Sequence, residues 1–254
     1  MIHNEAEYLR MYELERRLWW YSILHKKVLN SINRNFAGPV TGLKILDAAC
    51  GTGGLLMFLK EQGFQNLTGF DYSAHAVNFS RKRGLDVGTG DLRKVSEFKS
   101  GDKFDLICCN DALYFLTEAE ITGCLRAFSE RLTPNGLVLV NLNAFGAFSG
   151  SHDVAVGSNK RFTVAEFRKI TAPSGLKMTY YTYWPFLLSL PIWLVRSWQR
   201  FRMNTGANGT EIPVSDVRYP GDLPNKICYL VTKSEELLPA PLPFGSSLFM
   251  ALRK

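Results

Sequence analysis

Apolar residues along this chain fall into short unbroken runs, and the stretches between the runs carry apolar residues at helical spacing. The runs Leu43–Leu46, Asn66–Asp71, Leu85–Gly88, Phe104–Cys109 and Gly136–Asn143 read as buried strands. The last is almost continuously apolar, as expected of a parallel strand covered on both faces. Helices are predicted over 55–62, closed by Gly63, over 74–83, capped by Ser73 and closed by Gly84, and over 118–131. Pro134-Asn-Gly136 predicts a turn ahead of the fifth strand. Strands and helices in strict alternation call for an α/β domain with a doubly wound sheet.

The two ends depart from that rhythm. Residues 4–32 predict one long helix, capped by Asn4 with Glu7 as its capping-box partner. Leu14, Leu18, Tyr21 and Val28 fall on one helical face, but the block Leu18-Trp-Trp-Tyr21 is wider than one stripe. Either the extra aromatics pack this helix onto the domain, or one or two of them cover a ligand. Past the fifth strand comes a loop of small residues, 145–159, with His152 inside it; Thr163 then caps a helix over 164–170. A sixth strand is predicted over 176–183, a helix over 225–238 and a last strand over 248–252. Three readings stand for 184–202, which is apolar up to Val195 and then carries Arg196, Arg200 and Arg202. They are a pocket wall or lid, a core helix, and a segment lying on a membrane surface, and the first is favoured. The apolar part is too short to span a bilayer, which takes about 20 apolar residues.

Composition narrows these readings. The chain has 254 residues, 46% hydrophobic and 21% charged, with a formal net charge of +7. Such a mildly basic balance, with no aromatic-interleaved Lys/Arg block, does not point to nucleic acid. The five cysteines are odd in number and lack a Cys-x-x-Cys pair, and the four histidines are scattered. Neither a disulfide framework nor a metal site is expected. The first residues lack a signal-peptide core, so a cytoplasmic setting is the default.

Candidate chemistry gathers where strands end. Asp47 closes the first strand and is followed by the small-residue loop Ala48–Gly54. Gly51 and Gly53 let the backbone turn tightly and approach a ligand closely. Asp71, 20 residues beyond Gly51 at the tip of the second strand, is placed to accept from ribose hydroxyls. Tyr72 follows it and can lie against an adenine face. Asp91 can accept from an exocyclic amine while Leu92 packs on the ring. Asn110, Asp111 and Tyr114 lie beyond the fourth strand, where ligands of open α/β sheets bind. His75 is read as solvated, and Arg81-Lys-Arg83 as cations suited to a helix C-terminus.

With these residues in place the chain resembles the class I S-adenosylmethionine-dependent methyltransferases. Leu46-Asp-Ala-Ala-Cys-Gly-Thr-Gly53 is similar to that family's first motif, Asp71 to its second-strand acid, Gly90-Asp-Leu92 to its third motif and Asn110–Phe115 to its fourth. An N-terminal Trp-Trp-Tyr helix and the tail Pro243-Phe-Gly-Ser-Ser247 resemble a bacterial subgroup. The resemblance implies a Rossmann-like, doubly wound, seven-stranded sheet with its last strand antiparallel. It also implies a helical N-terminal lid over 1–36, a core over 40–182 and 244–254, and an inserted aromatic and helical cap over 183–243. S-adenosylmethionine would lie across the strand tips, with Asp47, Ala49, Cys50, Gly51 and Gly53 at its methionine end. Asp71 would meet its ribose, Asp91 and Leu92 its adenine, with Tyr72, Ser73 and Asn110 as further cofactor contacts. Trp20 and Tyr21 would close over it.

Two positions depart from the family pattern. Ala49 replaces the motif's first glycine, which predicts a tolerated, slightly shifted loop, and Phe115 stands where many relatives carry His. The activity implied is methyl transfer to a small, largely apolar metabolite at a hydroxyl oxygen, with Asp111, Tyr114, His25 and His152 as candidate bases. Alternatives are methylation of a lipid or another acceptor at carbon or nitrogen at a membrane surface, a nicotinamide-dependent oxidoreductase, and a non-enzymatic platform. The oxidoreductase is disfavoured because Leu56 stands where its third glycine would fall.

Overall fold

The computed structural model describes residues 5–158, 160–204 and 218–254; the predicted cap Asn4 and most of the polar stretch 203–224 lie outside them. Seven strands form one sheet in the order β3-β2-β1-β4-β5-β7-β6. They are β1 (Lys44–Ala48), β2 (Asn66–Asp71), β3 (Val87–Thr89), β4 (Phe104–Asn110), β5 (Leu132–Asn143), β6 (Lys177–Trp184) and β7 (Ser247–Arg253). β1 to β5 pair in parallel, and β7 runs antiparallel between β5 and β6. The seven-stranded sheet with its reversed last strand is therefore present as expected. The strand order reverses between β1 and β4, which is where such sheets open a ligand crevice.

Alternation along each strand divides the core in two. Leu46, Ile107, Val138, Val140 and Met250 face one side, with Leu125 and Phe128 of α5 (Glu118–Arg131) and Phe167 of α7 (Val164–Thr171). Ile45, Leu106, Leu139 and Phe249 face the other, under α2 (Trp19–Asn35) and α3 (Gly54–Glu61). Reciprocal capping boxes start α5 and α7, Thr117 with Glu120 and Thr163 with Glu166. The turn at 134–136 survives as an excursion within β5: Phe104 pairs with Leu132, but Leu106 pairs with Leu137.

The single helix expected over 4–32 is two. α1 (Glu5–Leu14) ends before Glu15, and α2 starts after Leu18, whose backbone is extended at φ −72° and ψ 132°. The two helices serve different surfaces, which one straight rod could not do. Tyr8 of α1 packs on Ala76 and Phe79 of α4 (Ala74–Lys82), while Ile23, Leu24, Val28 and Ile32 of α2 pack on the sheet.

The region after β5 contains α6 (Ser151–Val156), α8 (Ser189–Asn204) and α9 (Asp222–Ser234). α9 begins and ends earlier than the predicted 225–238 and passes into a 3₁₀ turn, Glu235–Leu237. Of the three readings for 184–202, the core helix is excluded, since Leu190, Leu194, Val195, Trp198 and Phe201 of α8 are all exposed. Among the described residues no helix is long and apolar enough to cross a membrane.

Candidate active site

The glycine loop between β1 and α3 turns through three left-handed residues, Ala49 (φ 61°), Gly51 (φ 55°) and Gly53 (φ 81°). Ala49 is therefore the loop's strained position, since a residue with a Cβ rarely adopts this backbone. A β-carbon at Gly51 would stand 3.0 Å from the Met11 sulfur, and one at Gly53 would stand 2.6 Å from Leu85. Helix α1 thus lies directly against the loop.

Three carboxylates converge here. Asp71 accepts from the Gly51 N–H and the Ser73 N–H, each at 2.9 Å, so it fixes the loop while each oxygen keeps a second acceptor site. Ser73 stands at the N-cap of α4, where its side chain makes no capping hydrogen bond. Asp47 is buried at the tip of β1, and burial together with Glu15 and Asp71 holds its pKa well above the carboxylate range. Glu15 is buried between Arg83, 2.5 Å away, and the Thr52 hydroxyl, which donates to it. Burial still raises the Glu15 pKa against the pull of Arg83. Tyr8 sits close enough to Asp71, Ser73 and Cys50 that burial and the Asp71 charge push its phenol up to about 12. The site is acidic and glycine-cradled, and the Arg83 guanidinium is taken by Glu15, which leaves Asp47 and Asp71 to suit a cationic ligand.

Farther along the strand tips, Asp91 is the N-cap of the 3₁₀ turn Leu92–Glu97. It accepts from the Arg93 backbone at 2.9 Å and pairs with the Arg93 guanidinium at 2.8 Å, which holds its pKa low. Leu92 is buried beneath it, and Tyr72 is exposed, with Arg93 6.0 Å from its ring. Asn110 ends β4 with its side-chain oxygen buried and without a hydrogen-bond partner. A buried acceptor left unpaired is costly, and it marks a place where a donor group fits.

Asp111 follows with a left-handed backbone, φ 53°. Its N–H donates to the Asn141 carbonyl at 2.8 Å, and both carboxylate oxygens accept from the Asn141 amide at 3.1 Å. The Asn141 oxygen in turn accepts from the Trp184 indole N–H at 2.9 Å. Burial raises the Asp111 pKa to about 7, while the Asn141 hydrogen bonds and Arg161 oppose that rise. Tyr114 is buried nearby, its phenol pushed well up by burial and by Asp111 and Tyr21. Tyr21 is likewise raised, by burial first and then by the charges of Glu15 and Asp111. A buried ion pair, Arg161 with Asp153 at 3.0 Å, fixes the loop after β5, and Arg161 also donates to Ala144 and Ser246 carbonyls.

The other expected residues stand elsewhere. Trp20 stacks on Trp184 at 5.3 Å, where it packs against the core. His25 is buried 5.5 Å from Phe58, and burial lowers its pKa to about 3, which leaves it a weak base. It lines a cavity of about 400 Å³ with Arg16, Trp19 and Tyr229, whose lining includes neither Asp71 nor Asp111. The backbone of His152 lies in α6, and its side chain falls outside the described residues.

Sequence reading missed Tyr8, Met11, Glu15, Arg83, Asn141 and Trp184. A signal existed for three of them, since residues 8, 11 and 15 form a helical stripe containing one carboxylate. The tail Pro243–Ser247 has a local structural reason. A β-carbon at Gly245 would come within 2.4 Å of the Trp184 backbone, so this glycine lets the tail pass close to the tryptophan that holds Asn141. Phe244 beside it packs on Phe145 at 5.1 Å and on Phe148 at 4.9 Å.

Comparison with known proteins bears on this geometry. A family model described as a methyltransferase domain matches residues 45–136. The ubiquinone biosynthesis O-methyltransferase of Pasteurella multocida is 26% identical over 162 residues, 54% of this chain and 64% of that protein. The dTDP-3-amino-3,4,6-trideoxy-alpha-D-glucopyranose N,N-dimethyltransferase of Streptomyces venezuelae is 35% identical over 101 residues, 38% of this chain and 40% of that one. The chain thus spans less than two thirds of the length of these relatives. Among solved structures, a complex between the Haloferax volcanii Trm112 methyltransferase activator and a methyltransferase is similar, with a TM-score of 0.61 at 18% identity. That similarity covers 98% of this chain and 94% of the other, and at this identity it speaks for the fold. The matched segment, residues 45–136, holds the glycine loop and the three later strand tips, so over this stretch the chain is similar to a methyltransferase domain.

Proposed function

We propose that this chain binds S-adenosylmethionine across the tips of β1, β2 and β4 and methylates a small, largely apolar metabolite at a hydroxyl oxygen. Bound there, the donor supplies a sulfonium methyl that is already activated. Asp47 receives its cationic end, whose charge offsets the burial that otherwise keeps this carboxyl protonated, and the Asp71 oxygens take the ribose hydroxyls. Tyr72 offers a ring face to the adenine, and Asp91 takes its amine once the Arg93 contact yields. The free oxygen of Asn110 accepts from a donor N–H. Residues 1–36 act as lid, 40–182 with 244–254 as core and 183–243 as cap. Within the lid, Tyr8 and Met11 of α1 do the covering beside Tyr21.

The observation that carries the hydroxyl reading is Asp111. A buried carboxylate titrating near neutrality, aimed by Asn141 and beside Tyr114, suits removal of a proton from an acceptor held at the tip of β4. Alignment of acceptor and methyl supplies much of the remaining acceleration. The aromatic group Phe145, Phe148, Tyr183 and Phe244 offers an apolar wall to the acceptor. The two named relatives act at oxygen and at nitrogen respectively, so an amine acceptor is the second reading.

Titration calorimetry with S-adenosylmethionine and S-adenosylhomocysteine tests the donor. Both are expected to bind the intact chain, and Asp71→Ala is expected to weaken them by roughly a hundredfold through loss of charge-assisted hydrogen bonds. Intact protein that binds neither would overturn the proposal. A labelled-methyl screen over phenolic and amine acceptors then separates oxygen from nitrogen.

A further inference from the structure

Both cap helices are inside out. On α8 the face turned to the protein is polar. Arg200 donates to the Ala147 carbonyl at 2.8 Å and the Ser149 carbonyl at 2.6 Å. A β-carbon at Gly150 would meet Gln199 at 2.5 Å and Arg196 at 2.6 Å, so these two side chains press on the backbone there. The opposite face carries Leu190, Leu194, Trp198 and Phe201, one stripe at i, i+4, i+8 and i+11, exposed by 65%, 54%, 58% and 66%. α9 repeats the arrangement. Trp19 donates to its Asn225 at 2.8 Å and Lys26 hydrogen-bonds its Tyr229, while Leu223, Ile227 and Leu230 point outward and are at least half exposed. The Leu187 N–H, just before α8, donates to Glu235, just after α9, at 3.0 Å. A surface helix normally buries its apolar stripe against its own core. Two neighbouring helices that do the reverse present that stripe to something else.

We propose that α8 and α9 seat the chain on an anionic lipid bilayer, with α8 lying in the plane of the interface. Charge separates this occupant from a second copy of the chain. α8 holds no carboxylate, and on its outer face Arg202 lies 4.9 Å from the Trp198 ring beside the stripe, within a chain of net charge +7. A two-fold contact across this face would set Arg202 against its own copy, whereas anionic headgroups attract it. Trp193 and Trp198 are both exposed, and Trp is the side chain that settles at the boundary of headgroups and acyl chains. Helix length rules out spanning and leaves surface binding. The seat is independent of the methyl-transfer proposal and stands or falls without it.

The test is flotation of the full chain with phosphatidylcholine vesicles, alone and with about one-third phosphatidylglycerol. Binding to the anionic vesicles is expected, weakening with added salt. Leu194→Ser combined with Trp198→Ser is expected to lower partitioning at least about tenfold, and Arg202→Gln about fivefold. Both variants alter exposed or half-exposed groups, so an unchanged thermal midpoint and circular dichroism spectrum checks that folding is intact. Three outcomes would overturn the seat: no flotation with anionic vesicles, equal flotation of the double variant, or a dimer in sedimentation velocity that the double variant dissolves while vesicles stay bare.

Discussion

The lid helix and the cap helices solve opposite problems. α1 turns Tyr8 and Met11 inward over the glycine loop, and Glu15, just past its end, closes a buried triangle with Thr52 and Arg83. α8 and α9 turn polar groups inward and leave leucine, isoleucine, tryptophan and phenylalanine outside. The difference teaches that α1 and Glu15 belong to the folded core's own stability, whereas the apolar stripes of α8 and α9 contribute little to it. Substitutions on the two regions should therefore behave differently.

The largest contrast concerns Asp111 at the centre of the site. Asp111→Asn is expected to lower kcat by roughly a hundred- to ten-thousandfold, measured by labelled-methyl transfer, and kcat/KM of the unaltered chain should rise with pH through about 7. The stability effect has the opposite sign. The folded pKa lies above the ordinary aspartate value of 3.8, so between about 4 and 7 the folded chain keeps a proton that the unfolded chain has lost. Stability from this group is present at low pH and falls as pH rises across that window, and Asp111→Asn should flatten that part of a pH-dependent melting series.

Next in size is the lid. Glu15→Ala leaves Arg83 buried without its carboxylate and should cost roughly 3–5 kcal/mol in denaturant unfolding. The cap counterpart, Ile227→Ser on the exposed stripe, should change stability by no more than about 0.5 kcal/mol. Equal losses at the two positions would break the comparison. Gly245→Ala falls between them, at about 1–3 kcal/mol from forcing a methyl against the Trp184 backbone. One substitution should be a gain, since Ala49→Gly relieves a left-handed alanine and should stabilise the chain by roughly 0.5–1 kcal/mol.

Much of the fold was legible because the central strands are buried on both faces and must read as apolar runs. Gly51, Gly53 and Asp71 were legible for a related reason: a tight loop and a strand-tip acid are local requirements. The break at Glu15 was not, because it answers to Arg83, a partner 68 residues away. Asn141 was hidden in the apolar run of β5, and only the parallel register that sets Asn141 beside Asn110 brings it to Asp111. The outward faces of α8 and α9 are not legible in the sequence, because an apolar stripe states that a helix has an apolar side and not which way that side points.

Trp184 also decides which end of the Asn141 amide Asp111 meets. An indole can only donate, so it claims the amide oxygen and leaves the two amide hydrogens for the carboxylate. The amide is thereby keyed in one orientation, and that orientation favours the ionised form of Asp111. Replacing the indole by a ring without an N–H, as in Trp184→Phe, frees the amide to rotate by half a turn and offer its oxygen to a protonated carboxyl. The acid limb of the pH profile should then move upward, although the altered side chain never touches the carboxylate.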